Sequence, residues 1–180
     1  MAITQRIDYN APRNELNIAT ATQRGIYIHK ALQHAAMDNW NLPDWLPQQS
    51  ELYISSYRAT TWLKSVNAKP LATERFVVLH DYQGRQIDRG KIDLLAEING
   101  EIILIDYKTE AKQMLKTAVD KQKEDWSYQL SAYALAASRE VDIDRLLVLH
   151  LPRQAPAEII ELPRLSSEQV LSKYELRKNT

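Results

Sequence analysis

The sequence contains no cysteine, no excess of charge of either sign and no long apolar run. Without cysteine the chain has no disulfide, no zinc–thiolate site and no iron–sulfur cluster, which fits a reducing compartment. The 23 lysines and arginines balance 23 aspartates and glutamates, so any binding of nucleic acid depends on a local basic patch. No segment resembles a signal-peptide core or a membrane span. We therefore expect a soluble cytoplasmic protein, in a bacterium or a phage-infected cell, without a membrane partner.

The pattern of apolar residues predicts an α/β protein. A length of 180 residues suits one domain with a hydrophobic core. We expect a polar arm over 1–16, helices over 17–66 with Ser50 as a cap, a core of strands around one long helix over 70–162, and a terminal helix over 163–180. This α-β-β-β-α-β order predicts a central mixed β-sheet flanked by α-helices.

The stretch "GKIDLLAEINGEIILIDYKTE" reads as a β-hairpin that carries charges. Asn99-Gly100 is a strong signal for a two-residue turn, because a type I′ turn requires positive φ at both positions. Pairing Ile98 with Glu101 and counting outward places Asp93 directly opposite Asp106 on one face. The other face is predicted to be apolar and to belong to the core: Ile92, Leu94, Ala96, Ile98, Ile103, Ile105 and Tyr107.

Two opposed carboxylates repel each other unless a cation lies between them, so Asp93 and Asp106 predict a metal site. Lys108 follows Asp106 by two residues and is predicted to project on the same face. Oxygen ligands of this kind suit Mg²⁺ or Mn²⁺, which keep several waters and are often completed by a phosphate of the substrate. The chemistry that follows is hydrolysis of a phosphodiester, with Lys108 orienting the attacking water or offsetting negative charge.

These residues resemble a known family. "GKIDLL" followed by "IILIDYKT" is similar to the D…(D/E)xK core of the PD-(D/E)XK nuclease superfamily, in particular its RecB-type branch. Gly25 and His29 in "GIYIH" resemble the histidine motif of that branch, and "QLSAY" resembles its QxxxY helix. Glu110 departs from the pattern, since the branch often has glycine after "DYKT".

The resemblance implies roles for individual residues. It implies metal ligation by His29, Asp93, Asp106 and the backbone carbonyl of Tyr107, with Lys108 as a catalytic residue. It also implies that Gln129 and Tyr133, which share a helix face, lie beside the active site and position it, and that Glu74 is a possible further acidic residue of the site. Each residue also has an ordinary structural interpretation: Glu74 as a solvent-facing strand residue, Gln129 and Tyr133 as packing residues of the long helix, and His34, His80 and His150 as structural histidines.

Contacts with DNA are predicted from basic residues near the hairpin. The candidates are Arg85, Arg89, Lys91, Lys112 and Lys116, although interleaved acidic residues also allow a solvated surface. Tyr82, Trp126 and Tyr128 are candidates for base stacking, although aromatic residues at helical spacing more often belong to a core.

The resemblance implies a stand-alone, metal-dependent deoxyribonuclease, an exonuclease that acts on duplex or single-stranded DNA ends in replication, recombination or repair. The ion would be Mg²⁺ or Mn²⁺. Two alternatives remain open at this point: a catalytically silent DNA-binding or assembly module of the same fold, and a structure-specific endonuclease.

Overall fold

A computed structural model describes residues 20–110 and 116–178; the predicted arm over 1–16 and Lys112 lie outside them. In chain order the elements are α1 (Ala21–Met37), α2 (Glu51–Ser65), β1 (Lys69–His80), β2 (Gln86–Ile98), β3 (Glu101–Lys108), α3 (Lys116–Ala137), β4 (Arg145–His150), β5 (Glu158–Leu162) and α4 (Ser167–Lys178). The predicted α/β class with a central mixed sheet is confirmed.

The predicted cap at Ser50 is present, and α4 also begins with a cap. Ser50 accepts a hydrogen bond from the amide of Tyr53 at 3.1 Å and starts α2. Ser166 and Gln169 exchange side-chain and backbone bonds before α4, as expected for a capping box. Helix α1 ends at Met37, and the indole of Trp40 donates to the carbonyl of Ala68. No helix among the described residues is long and apolar enough to cross a membrane.

In the described part of the chain, five strands form one sheet in the order β1-β2-β3-β4-β5. Neighbouring strands are antiparallel except β3 and β4, which are parallel because α3 connects them on one side of the sheet. The turn at Asn99 and Gly100 has φ values of 52° and 81°, which confirms the predicted turn type. The register that follows from it is also confirmed from Ile98↔Glu101 to Leu94↔Ile105.

Helices cover both faces of this sheet. Helices α1 and α2 bury one face, where the core includes Leu32, Leu63, Leu94, Ala96 and Ile105. Helix α3 buries the other face through Trp126, Leu130 and Ala134, which pack on Leu95 and Leu104. Apolar residues on both faces explain why β3 and β4 read as nearly continuous hydrophobic runs.

The alternation of β2 is interrupted next to Asp93. We predicted Ile92 on the same face as Leu94, but Ile92 packs with Leu95 and Leu104 under α3, while Leu94 packs under α1. On the neighbouring strand Glu74 has a φ of 51°, between the ladder pairs Thr73↔Leu94 and Arg75↔Ile92. One residue of each strand lies between these pairs, so the side chains on either side of Asp93 change face without an extra residue, which simple counting from the hairpin turn does not reveal.

Candidate active site

Asp93 lies where β2 separates from β3. The β2–β3 ladder ends at Leu94↔Ile105, and beyond it the amide of Tyr107 donates to Asp93 Oδ2 at 2.8 Å. A side chain therefore replaces the strand as the acceptor for this buried amide. The ladder does not extend to a pair of Asp93 and Asp106, and Asp93 meets His29 of α1, but the charge of Asp93 still acts on Asp106.

His29 comes from α1 to meet this carboxylate. Its Nδ1 is 2.8 Å from the carbonyl of Gly25, and its Nε2 is 3.2 Å from Asp93 Oδ2. A carbonyl oxygen only accepts, so Nδ1 is the donor in the first bond and the remaining nitrogen, Nε2, faces Asp93. The contact is favourable only when a proton or another cation lies between Nε2 and the carboxylate. Burial alone would lower the pKa of His29, but the bond and charge of Asp93, the Gly25 carbonyl and the charge of Asp106 raise it overall.

Asp106 is buried at 6% exposure and contacts Lys108. The ammonium of Lys108 lies 2.8 Å from Asp106 Oδ2, but this oxygen accepts no hydrogen bond of good geometry. Burial and the nearby charge of Asp93 raise the pKa of Asp106 to about 6, although Lys108 and His29 act in the opposite direction. An under-coordinated, buried carboxylate next to a second carboxylate is suited to bind a cation.

Lys108 continues into a chain of polar contacts on α3. Its ammonium donates to Gln129 Oε1 at 3.0 Å, and Gln129 Nε2 donates to the hydroxyl of Tyr133 at 3.2 Å. The ring of Tyr133 lies against Gly90 of β2, where any Cβ would overlap with it. The structure thus brings Asp106, Lys108, Gln129 and Tyr133 together, in a sequence of contacts that connects β3 to α3.

A buried arginine that the sequence analysis missed holds the end of β3. Arg24 is fully buried and forms a forked ion pair with Glu51, whose nearest oxygen is 2.7 Å away. Its remaining donors reach Ser55 Oγ and the carbonyls of Leu151 and Thr109. Arg24 therefore ties α1 to α2 and to the ends of β4 and β3, one residue beyond Lys108. One feature of the sequence pointed to Arg24: it directly precedes Gly25 in the histidine motif.

The predicted ligands fit a hard divalent cation. His29 Nε2 and Asp93 Oδ2 form one pair, and Asp106 Oδ2 is the buried oxygen that lacks a hydrogen bond. Within the described residues, no three His, Cys, Asp or Glu side chains form a group that would hold a metal ion by themselves. A backbone carbonyl, waters and a phosphate oxygen would have to complete the coordination, which is the usual situation for Mg²⁺.

The remaining predicted residues lie at different distances from this centre. Glu74 forms an ion pair with Lys91, and its charge helps to raise the pKa of Tyr107 after the dominant effects of burial and Asp93. Arg85 pairs with Asp81 in the β1–β2 turn, at 2.8 Å. Arg89 is exposed on β2, and the side chain of Lys116 is not among the described ones.

Two other predictions concern aromatic and histidine residues. Trp126 is buried in the core at 3% exposure, and Tyr128 lies under the ammonium of Lys173, so neither ring is open for a base. Tyr82 is exposed at 71%, in the β1–β2 turn. His150 is buried beside Lys108 on β4, where its ring contacts Glu158 and the carbonyl of Glu110, in line with its structural assignment.

Comparison with known proteins identifies the class. The chain matches the PD-(D/E)XK nuclease superfamily over residues 5–177, and it therefore belongs to that superfamily, as the motifs predicted.

One solved structure shows the same fold at low identity, and a second is similar at a lower TM-score. One is a protein from Eubacterium rectale described as "Putative exonuclease", with a TM-score of 0.55 and 13% identity, covering 89% of this chain and 65% of that chain. A second, described as SSO0001, has a TM-score of 0.46 and 14% identity, covering 87% of this chain and 69% of that chain. No curated protein matches the chain.

Proposed function

We propose that this protein is a divalent-metal-dependent deoxyribonuclease that hydrolyses phosphodiester bonds at DNA ends. The observation that carries the proposal is the position of the Lys108 ammonium, 2.8 Å from Asp106 Oδ2 and 3.0 Å from Gln129 Oε1. An ammonium has three donors and Gln129 takes one of them, so at least one remains for a water or a phosphate oxygen. Membership of the nuclease superfamily supports the same conclusion.

The side chains have separate tasks in this proposal. Lys108 orients the attacking water and offsets charge on the reacting phosphate. Gln129 fixes the direction of Lys108 by accepting from Nζ, and Tyr133 supports the Gln129 amide by accepting from Nε2. Neither residue needs to change its protonation state, so they are positioning residues.

The ligands proposed for Mg²⁺ or Mn²⁺ are His29 Nε2, Asp93, Asp106 and the backbone carbonyl of Tyr107. When bound, the ion supplies a lowered pKa for a coordinated water and stabilises negative charge on the phosphoryl oxygens. Asp93 already accepts from the amide of Tyr107, and Gly25 already orients the His29 ring, so two ligands are aligned before binding. A nitrogen ligand favours Mn²⁺ slightly over Mg²⁺.

The test is cleavage of end-labelled linear duplex and single-stranded DNA beside closed circular DNA, with Mg²⁺, Mn²⁺ or EDTA. We expect metal-dependent loss of the linear substrates and survival of the circle. Lys108→Ala should reduce the rate at least about 100-fold, the lower range for removal of a group that stabilises developing charge. Lys64→Ala, an exposed lysine at the end of α2, is the matched control and should retain full activity.

Other outcomes would contradict the proposal in distinct ways. Fragments from closed circular DNA would favour a structure-specific endonuclease. DNA binding without cleavage under any metal condition would favour a catalytically silent module of the same fold. Cleavage by Lys108→Ala at the rate of the normal protein would reject the assignment of the active site.

A further inference from the structure

The outward face of the β1–β2 hairpin carries apolar side chains that remain exposed. Apolar side chains on a sheet face are normally covered by another element. Phe76 is the only phenylalanine of the sequence, and it is 81% exposed; Val78 on the same face is 38% exposed. In the antiparallel register Phe76 pairs with Lys91 and Val78 pairs with Arg89. We call this set of four residues the hairpin platform.

The opposite face of the same hairpin has a conventional role. Val77 and Leu79, which alternate with the platform residues, are buried under α3 and α4. Gly90 lies against the ring of Tyr133, and Asp88 accepts from the hydroxyl of Tyr174. The opposite face of the hairpin therefore packs on α3 and α4, whereas the platform faces outward.

The platform is continuous with the proposed metal site. Arg89, Lys91 and Asp93 occupy alternate positions on β2, and Asp93 meets His29 on this side of the sheet. At 3.2–3.4 Å per residue, Arg89 lies about 13 Å from Asp93 along the strand. The platform therefore leads directly away from the two proposed ligands.

The charges of the platform suit a polyanion. Lys91 shares its charge with Glu74, but its side chain remains 44% exposed. Arg89 is exposed and makes no side-chain ion pair with any residue that the structure describes. An exposed ring flanked by two cations offers both a stacking surface for a base and contacts for the adjoining phosphates. Bases within a duplex are already stacked on each other, so this arrangement favours an unpaired strand.

We propose that the hairpin platform binds single-stranded nucleic acid next to the scissile position, with Phe76 stacked on one base and Arg89 and Lys91 contacting phosphates. This inference rests on the proposed nuclease function, because it assigns the path of the substrate strand. It predicts that a frayed or single-stranded DNA end is the preferred substrate. Val78 contributes apolar contact rather than specificity.

The experiment measures binding of the full chain in EDTA, where no cleavage occurs, by fluorescence anisotropy. The probes are a labelled oligothymidine of about 12 nucleotides, within the site sizes of single-strand binding proteins, and a blunt hairpin duplex. Phe76→Ala should weaken binding of the single strand about 5- to 150-fold, the range of one base–aromatic stack. Binding of the duplex should change much less.

Matched variants separate stacking from other effects. Phe76→Trp should retain binding because it keeps an aromatic face, whereas Phe76→Leu, which keeps only apolar area, should not. Arg89→Gln should reduce the slope of log K against log salt by about 0.7 on the single strand. Met37→Ala, at the end of α1, removes an equally exposed apolar side chain away from the platform and should change nothing.

The outcomes distinguish this inference from the nuclease proposal. Metal-dependent cleavage by the normal protein, together with equal single-strand binding by Phe76→Ala, would overturn the platform and leave the nuclease proposal intact. Phe76-dependent binding without cleavage by the normal protein would support the platform and reject catalysis. Retained single-strand binding by Phe76→Leu would show that stacking is not required and would overturn the inference. A dimer in light scattering that Phe76→Ala dissociates would show that the face binds a second copy of the chain and would also overturn it.

Discussion

Replacing Arg24 with methionine tests whether the buried arginine holds the active site together. The substitution keeps apolar volume but removes every donor to Glu51, Ser55, Thr109 and Leu151. Glu51 is 27% exposed and can hydrogen-bond to water after the substitution, so the free-energy cost of leaving its carboxylate without Arg24 is reduced. The buried acceptors do not regain water, and each lost partner costs about 1–3 kcal/mol.

We therefore expect Arg24→Met to lower the free energy of unfolding by about 3–5 kcal/mol, the range for breaking a buried ion pair from one side. At about 2–4 °C per kcal/mol for a protein of this size, the melting temperature should fall by about 10 °C. The assay is thermal unfolding followed by circular dichroism in EDTA. Arg139→Met, which changes an exposed arginine after α3, is the control and should change the melting temperature little.

The same contact predicts a dependence on pH. Burial alone would raise the pKa of Glu51, but its hydrogen bonds with Arg24 and Ser55 lower it below the ordinary value of 4.5. A lowered pKa contributes stability that is present above pH 4.5 and is lost as the pH falls through the folded value. Arg24→Met should lack this acid-dependent part. A melting temperature within 2 °C of the normal protein, roughly 1 kcal/mol or less, would refute the reasoning.

Three further predictions concern the site itself. In EDTA, the contribution of Asp106 to stability should fall as the pH rises from 3.8 to about 6, because the buried carboxyl keeps its proton in the folded state longer than in the unfolded chain; the difference in stability between the normal protein and Asp106→Asn should show this fall, and a difference that does not change with pH would contradict the raised pKa. His29→Ala should weaken Mn²⁺ binding in calorimetry about 10-fold or more, while His34→Ala, an exposed histidine on the same helix, should not, and equal effects would remove His29 from the ligand set. Gly90→Ala should cost about 1–3 kcal/mol and reduce DNA cleavage, because the added Cβ displaces the Tyr133 ring; normal melting and cleavage would show that the contact is unimportant.

The hairpin shows how far the sequence determined the fold. Asn99-Gly100 predicted both the turn and the register, because a requirement for positive φ is a local property of the chain. The faces of Leu94 and Ile105 followed from counting. The count failed at Asp93, since the irregularity opposite Glu74 depends on how two strands meet and leaves no turn residue in the sequence.

The site residues divide in the same way, into those that the local sequence predicted and those that it did not. Gln129 and Tyr133 were named from a motif, and their spacing of four residues explains why both reach the Lys108 side of α3. Arg24 and Phe76 were not named. The partners of Arg24 lie on α2 and just beyond the ends of β3 and β4, and the exposure of Phe76 depends on what packs on that face of the sheet; neither property is local.

The contacts of Arg24 also have a consequence for the order in which the site is completed during synthesis of the chain. Arg24 and Leu151 are separated by 127 positions in the sequence, yet the arginine needs the Leu151 carbonyl to satisfy its donors. A ribosome exposes α1 and the hairpin well before β4, so the emerging polypeptide carries His29, Asp93 and Lys108 without the bond that secures the end of β3. The proposed active site therefore stays incomplete until β4 and Leu151 have been synthesised.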